Sequence, residues 1–175
     1  MTLTVTKLDA MPAAEAAFQL AACCGASAWV ARMLSRRPFG SREQLLIAAD
    51  EVADTLAEGD WLEAFAHHPK IGQGTSNSVV STTAESWSVG EQSAVASADG
   101  AVRAALSDAN AAYEDRYGFI FIICASGRGA QEILDALLAR MRHERSEEIQ
   151  VAAREQRQIT RRRLEKLLEH AVSRR

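Results

Sequence analysis

The sequence predicts an all-α fold, and three observations carry that prediction. Apolar residues recur at helical spacing through most of the chain. Helix-start patterns of Ser or Asp followed three residues later by Gln or Glu recur between them. One stretch alone, Phe119-Ile120-Phe121-Ile122-Ile123-Cys124, has the aromatic and β-branched density of a strand, and no second stretch offers it a convincing partner. The expectation is therefore a single domain over residues 1–175. It is a compact bundle of about eight helices with one buried extended segment near 119–124. A chain of 175 residues is long enough to bury a core without metal or disulfide staples.

Taken in order, residues 1–10 read as a short extended lead. Pro12 is acceptable in a first turn, and the Ala-rich run after it is strongly helix-prone up to Gly25. A helix over 27–36 carries Trp29, Val30, Met33 and Leu34 on one side and is stopped at Arg37-Pro38-Phe39-Gly40. Ser41 with Gln44 opens a helix over 42–57, and Asp60 with Glu63 opens a short one that ends at His67-His68-Pro69. Residues 69–87 are polar and punctuated, a loop long enough to be functional or mobile. Ser88 and Glu91 then mark a helix start, with the helix continuing to 98, and Val102, Ala105, Leu106, Ala109 and Tyr113 mark another over 100–116. Gly118 breaks that pattern before the apolar segment, which must bond its backbone to side chains, loops, water or ligand if it is buried. Helices over 130–143 and 145–171 complete the chain.

Composition narrows the function classes. A formal net charge of −3 argues against a nucleic-acid binder. Many arginines gather in the last third, but Glu144, Glu147, Glu148, Glu155, Glu165 and Glu169 offset them, as on a solvated helix face. Cys23, Cys24 and Cys124 form no disulfide framework or metal spacing and fit a reducing, cytoplasmic setting. No apolar run approaches the roughly 18–20 residues of a membrane span, and the N-terminus lacks a signal-peptide pattern.

Four places can carry chemistry. At the His67-His68-Pro69-Lys70-Ile71-Gly72 corner, helical spacing from Trp61 and Phe65 puts His68 near their face and turns His67 away. His68 is then either a helix-end residue bonded to a late carbonyl or the wall of a site. No metal site is expected, since no His or Cys lies at i+3 or i+4 from the pair. Ser88 and Glu91 form a capping box, a role that leaves room for Glu91 to turn inward, and Gln92 adds a polar group that a cap does not need. Advancing about 100° per residue along the last helix puts Ile149, Ala152, Ala153, Gln156, Ile159, Thr160, Arg163, Leu164 and Leu167 on one face. Arg154, Arg157, Arg161 and Arg162 fall outside it. The inward Arg163 needs an internal carboxylate or an anionic or carbonyl-bearing ligand. Lastly, the main chain of 119–124 can face a flat, amide-rich ligand.

Four motifs occur in order: His68-Pro69-Lys70-Ile71-Gly72, Ser88-x-x-Glu91-Gln92, Tyr113-Glu114-x-Arg116-Tyr117-Gly118-Phe119-Ile120-Phe121-Ile122, and Glu155…Ile159…Arg163-Leu164. With Cys23-Cys24-Gly25, Trp29 and Arg37-Pro38-Phe39, this pattern resembles the 2-oxo-4-hydroxy-4-carboxy-5-ureidoimidazoline (OHCU) decarboxylase family along nearly the whole chain. The resemblance implies a cofactor-free, all-helical decarboxylase that converts OHCU to (S)-allantoin and CO2 in urate degradation, commonly as a homodimer. It implies that His68 and Glu91 are catalytic. It also implies substrate contacts from Pro69, Ser88, Gln92 and Arg163, and from the main chain of Phe119, Phe121, Ile122 and Ile123. Tyr117 stands where many relatives carry Phe, and the loop at 73–87 is somewhat longer than usual. Two other readings stay open: a related cyclic-amide enzyme using the same pocket, and a helical interaction module whose last helix binds a partner.

Overall fold

The computed structural model describes residues 3–71 and 82–169, and among these it has ten α-helices and no strand. They are α1 (Val5–Ala10), α2 (Ala13–Cys23), α3 (Ser27–Ser35), α4 (Arg42–Ala53), α5 (Glu58–Ala66), α6 (Thr82–Glu91), α7 (Ser93–Ala96), α8 (Gly100–Tyr117), α9 (Ala130–Arg140) and α10 (Arg145–Glu169). The all-α expectation holds. The count exceeds eight for two reasons: residues 5–10 coil instead of running extended, and the stretch from 82 is split in two at Gln92. None of the described helices is long and apolar enough to cross a membrane. The expected loop over 69–87 is shortened by α6, and residues 72–81 lie outside the described residues.

The chain divides into two compact units, one of Met1–Ala64 with Arg157–Arg175 and the other of Phe65–Gln156. In the first, α1 forms because the Thr4 hydroxyl accepts from the Lys7 amide (3.2 Å) and Leu8 is fully buried. It is fastened to the turn after α3 through Asp9, whose carboxylate accepts from the amides of Phe39 (2.8 Å) and Gly40 (2.9 Å). Gly40 has φ 76°, a left-handed conformation that glycine adopts without a Cβ penalty. The Arg37 guanidinium closes the same clasp from the other side by donating to the carbonyls of Asp9 and Met11.

Helix starts in this unit follow the sequence closely, with one exchange of partners. Ser41 caps α4 by accepting from the Gln44 amide (3.1 Å). The box expected from Asp60 and Glu63 shifts by one turn: Asp60 reaches back to the Ala57 amide (2.9 Å). Glu63 instead accepts from the amide (3.1 Å) and hydroxyl (3.0 Å) of Ser27 at the start of α3. Buried Trp29 joins α3 to α4 by donating to the Ala49 carbonyl (3.4 Å). The last part of α10 pairs with α4: Arg157 with Asp54, and Arg161 with Asp50 (3.1 Å).

The second unit is built on α8. Leu106, Asn110, Tyr113 and Tyr117 recur at helical spacing and are all buried. Gly118 (φ 77°) ends the helix as a left-handed cap, its amide bonded to the Glu114 carbonyl (2.8 Å). Residues 120–125 are then neither helix nor strand, although Phe121, Ile122, Ile123 and Cys124 are buried. Their bed is aromatic: the Phe119 and Phe121 rings stand edge-on to Tyr113 at 5.8 and 5.2 Å, and Phe65 lies 5.4 Å from Phe119.

On α10 all nine residues expected on the inward face are buried, Arg163 included. The same stripe holds a tenth, Glu148, which is fully buried. Grouping it with the solvated glutamates is therefore corrected: residue 148 lies one helical turn before Ala152 and shares its face.

Replacing Asp9 with Ala removes the acceptor for two amides, one of them the part-buried N–H of Phe39. The expected cost is about 1–3 kcal/mol. It should appear as a lower urea midpoint with an unchanged slope, and Asp9→Asn should recover part of it.

Candidate active site

Pro69 disfavours helical geometry at His68, and α5 stops at Ala66. The last turn tightens so that the His68 amide bonds to the Phe65 carbonyl (3.0 Å). At this corner His67 is exposed and His68 half-buried, which follows the division expected from the spacing. Two side chains of α8 pin the corner from below. Lys70 pairs with Glu114 (2.5 Å), and the amide of buried Asn110 donates to the carbonyls of Ile71 (3.3 Å) and Leu106 (2.8 Å). Asn110 was missed from the sequence, although it lies four residues after Leu106 and three before Tyr113 on a buried face. A polar residue inside such a stripe is itself a signal.

Ser88 and Glu91 do not open a helix. Because α6 starts at Thr82, Ser88 lies in its second half and Glu91 is its last residue. The capping-box expectation is corrected on that ground, since the amides at residues 88–91 lie beyond the first turn, whose orphan donors a box would serve. Ser88 is buried and Glu91 half-buried. Gln92, where the chain leaves α6 (φ −101°, ψ 13°), donates to the Pro69 carbonyl at 3.5 Å, a long bond that nevertheless ties the end of α6 to the histidine corner.

The apolar segment is held by side chains rather than by a sheet. Arg140 Nη1 donates to the Ile122 carbonyl (2.8 Å), and the Cys124 amide donates to Glu155 Oε2 (2.8 Å). Among the described residues, no other main-chain group of residues 119–123 has a hydrogen-bond partner. Behind Arg140 lies a buried cluster that sequence reasoning also missed. Glu148 Oε1 accepts from Arg140 Nε (2.8 Å) and from the Tyr113 hydroxyl, and Glu148 Oε2 meets His143 Nδ1 (2.7 Å). Burial, and then the hydrogen bond to Glu148, push the Tyr113 phenol well above its ordinary pKa, so it stays a neutral donor.

Within the second unit a continuous chain of contacts therefore runs from Gln92 to Pro69 and His68. It goes on through Phe65 to Phe119, and through Tyr113 to Phe121. The candidates Pro69, Gln92, His68, Phe119 and Phe121 are its links, and Ile122 and Ile123 follow directly along the chain. Arg163 belongs to the first unit. It is 4% exposed, donates to the Ala22 carbonyl (3.4 Å) and lies close enough to Cys24 to act on its thiol. Burial pushes that thiol up to about 11, against the opposing pull of hydrogen bonds from Ala26 and Thr160 and of the Arg163 charge. A small cavity in the same unit, lined by Trp29, Trp61, Asp50 and Arg157 among others, contains none of the candidate site residues.

Residues 9–165 match the family model described as OHCU decarboxylase. The chain belongs to the OHCU decarboxylase family. All the candidate site residues fall within the matched span. The uric acid degradation bifunctional protein TTL of Arabidopsis thaliana is 41% identical over 146 residues, 83% of this chain and 45% of that protein, so the chain spans less than half of that relative. The 2-oxo-4-hydroxy-4-carboxy-5-ureidoimidazoline decarboxylase of Amia calva is 30% identical over 139 residues, 79% of each chain. Among solved structures, an OHCU decarboxylase crystallised in the presence of (S)-allantoin superposes with a TM-score of 0.74 at 33% identity, over 87% of this chain and 98% of that one.

The Cys24 thiol should be inert in the native protein. With its pKa raised from 9.0 to about 11, on the order of one thiol in a thousand is ionised at pH 8. A disulfide reagent at pH 8 should leave Cys24 unmodified until denaturant is added. Because the folded state holds the proton more tightly, stability should fall as pH rises from 9.0 towards 11.

Proposed function

We propose that this chain catalyses the decarboxylation of OHCU to (S)-allantoin and CO2 in urate degradation, without a cofactor. In this reading it acts as one OHCU decarboxylase-like domain, in the cytoplasm, as a homodimer. Family membership supports the reaction. The structural observation that carries the reading is the main-chain edge at residues 119–123, formed by residues that are buried except for half-buried Ile120 and largely without protein partners among the described residues, on the chain of contacts that leads to His68. Buried main-chain donors and acceptors call for a partner of matching geometry. A flat ring carrying ureido and carbonyl groups supplies one.

The chemistry suits these residue types. Loss of CO2 leaves an electron pair on the ring carbon, conjugated to an adjacent C=N or C=O that can hold the charge. The protein's task is then to stabilise developing enolate-like charge and to deliver a proton to one face. In this proposal His68 meets the carboxylate-bearing centre and, directly or through water, governs its protonation. Glu91 orients His68 or the 4-hydroxyl. Arg163 grips ring or ureido carbonyls with its planar fork. Pro69, Ser88 and Gln92 border the substrate, and the main chain of Phe119, Phe121, Ile122 and Ile123 reads the heterocycle.

The test follows freshly generated OHCU by circular dichroism. The protein should accelerate formation of optically active allantoin over the spontaneous route. His68→Gln should lower kcat by about 100-fold or more, the usual contribution of a general acid or base. His67→Ala should stay within about twofold, as an exposed neighbour that takes no part. Equal losses in both variants, or none in either, would sink the assignment of His68.

A further inference from the structure

We propose that Arg140, backed by Glu148, is a positioning residue for this reaction: by holding the Ile122 carbonyl it sets the main-chain edge at which the substrate is read. The inference rests on the decarboxylase reading and adds to it residues of α9 and α10 that touch no substrate.

Arg140 is placed to control the segment at two consecutive residues. Its Nη1 donates to the Ile122 carbonyl at 2.8 Å, and its Cζ lies 4.5 Å from the centre of the Phe121 ring. The rest of the fork is committed to Glu148, which is fully buried and also holds Tyr113 and His143. The guanidinium plane therefore cannot turn without breaking charge-assisted bonds. In a trans peptide the C=O and the following N–H lie in one plane and point opposite ways. Fixing the Ile122 carbonyl towards Arg140 thus fixes the Ile123 N–H in the opposite direction, and that N–H has no partner among the described residues.

Stability alone is a poor reason for this arrangement. A buried ion pair contributes little beyond well-packed apolar residues of the same size, because desolvation offsets the attraction. Fold specification would be served by the Arg140–Glu148 pair by itself. What the pair alone does not require is the third bond, aimed out of the cluster at one carbonyl of a buried segment that has no sheet to define its direction.

Two variants decide the matter. Arg140→Met combined with Glu148→Leu removes both charges together, so neither is left buried alone. It should still fold, with a lowered melting temperature because the Tyr113 hydroxyl and the Ile122 carbonyl lose their partners, and lose about 30-fold in kcat/KM, most of it in KM. Arg140→Lys keeps a cation beside Glu148 but lacks the fork that serves carboxylate and carbonyl at once. It should raise KM about tenfold with kcat within about threefold. Amide hydrogen exchange at Cys124, the bonded amide of the segment two residues beyond the carbonyl that Arg140 holds, should quicken about tenfold in Arg140→Lys while the amides of α8 keep their rates, a readout that needs no substrate. Wild-type KM and exchange in either folded variant overturn the proposal. So does loss of folding in both, the mark of a purely structural role. A wild-type protein inactive towards OHCU sinks the decarboxylase reading instead, and leaves the exchange result to judge the positioning by itself.

Discussion

Burying main chain that is neither helix nor strand is the constraint on which the second unit depends. A helix satisfies its own amides and carbonyls, so helices can be packed by apolar faces alone. Residues 119–124 cannot do this, and each polar group they bury needs a partner from elsewhere. The response is visible in the charges drawn inside: Arg140 for the Ile122 carbonyl, Glu155 for the Cys124 amide, and Glu148 to keep Arg140 in place. Tyr113 serves twice, as a hydrogen-bond donor to Glu148 and as the aromatic surface on which Phe119 and Phe121 rest.

The histidine corner is governed by the same helix. Asn110, Tyr113 and Glu114 lie along α8 and meet, in turn, the Ile71 carbonyl, the rings of the apolar segment, and Lys70. One helix thereby sets both the corner that presents His68 and the segment beyond Gly118. Each aromatic pair contributes roughly 0.5–1.5 kcal/mol beyond its buried area. Breaking a buried ion pair on one side costs about 3–5 kcal/mol. That penalty is the cost of leaving one charge buried alone and not the net worth of the pair, so the polar cluster fixes the direction of the segment while the rings fill the space around it.

Patterns with a strict period were legible in the sequence. The inward face of α10 came out residue by residue, Arg163 included, because a long helix repeats its geometry over many turns and a phase error would have misplaced most of the stripe. The Ser41 cap and the absence of a sheet among the described residues were legible too, since both follow from local chemistry. Boundaries were less so. Ser-x-x-Glu at residues 88–91 has the spacing of a helix start, yet the helix was already running from Thr82. Asp60 and Glu63 show the same ambiguity, because a carboxylate wanted by a distant amide abandons the local cap. Glu148 and Arg140 were hidden for another reason: a charged residue within an apolar stripe looks like an interruption until its partner, brought near only by folding, is known.

The proposed function places one ligand-reading surface at the half-buried His68 and the sparsely bonded edge at 119–123 of this family member. Its most direct test is a titration of isotopically labelled protein with (S)-allantoin, observed through the backbone amide resonances. The account predicts saturable shifts concentrated at residues 121–123 and at His68, with His67 little moved. Shifts confined to other parts of the chain, or none at saturating ligand, would contradict it.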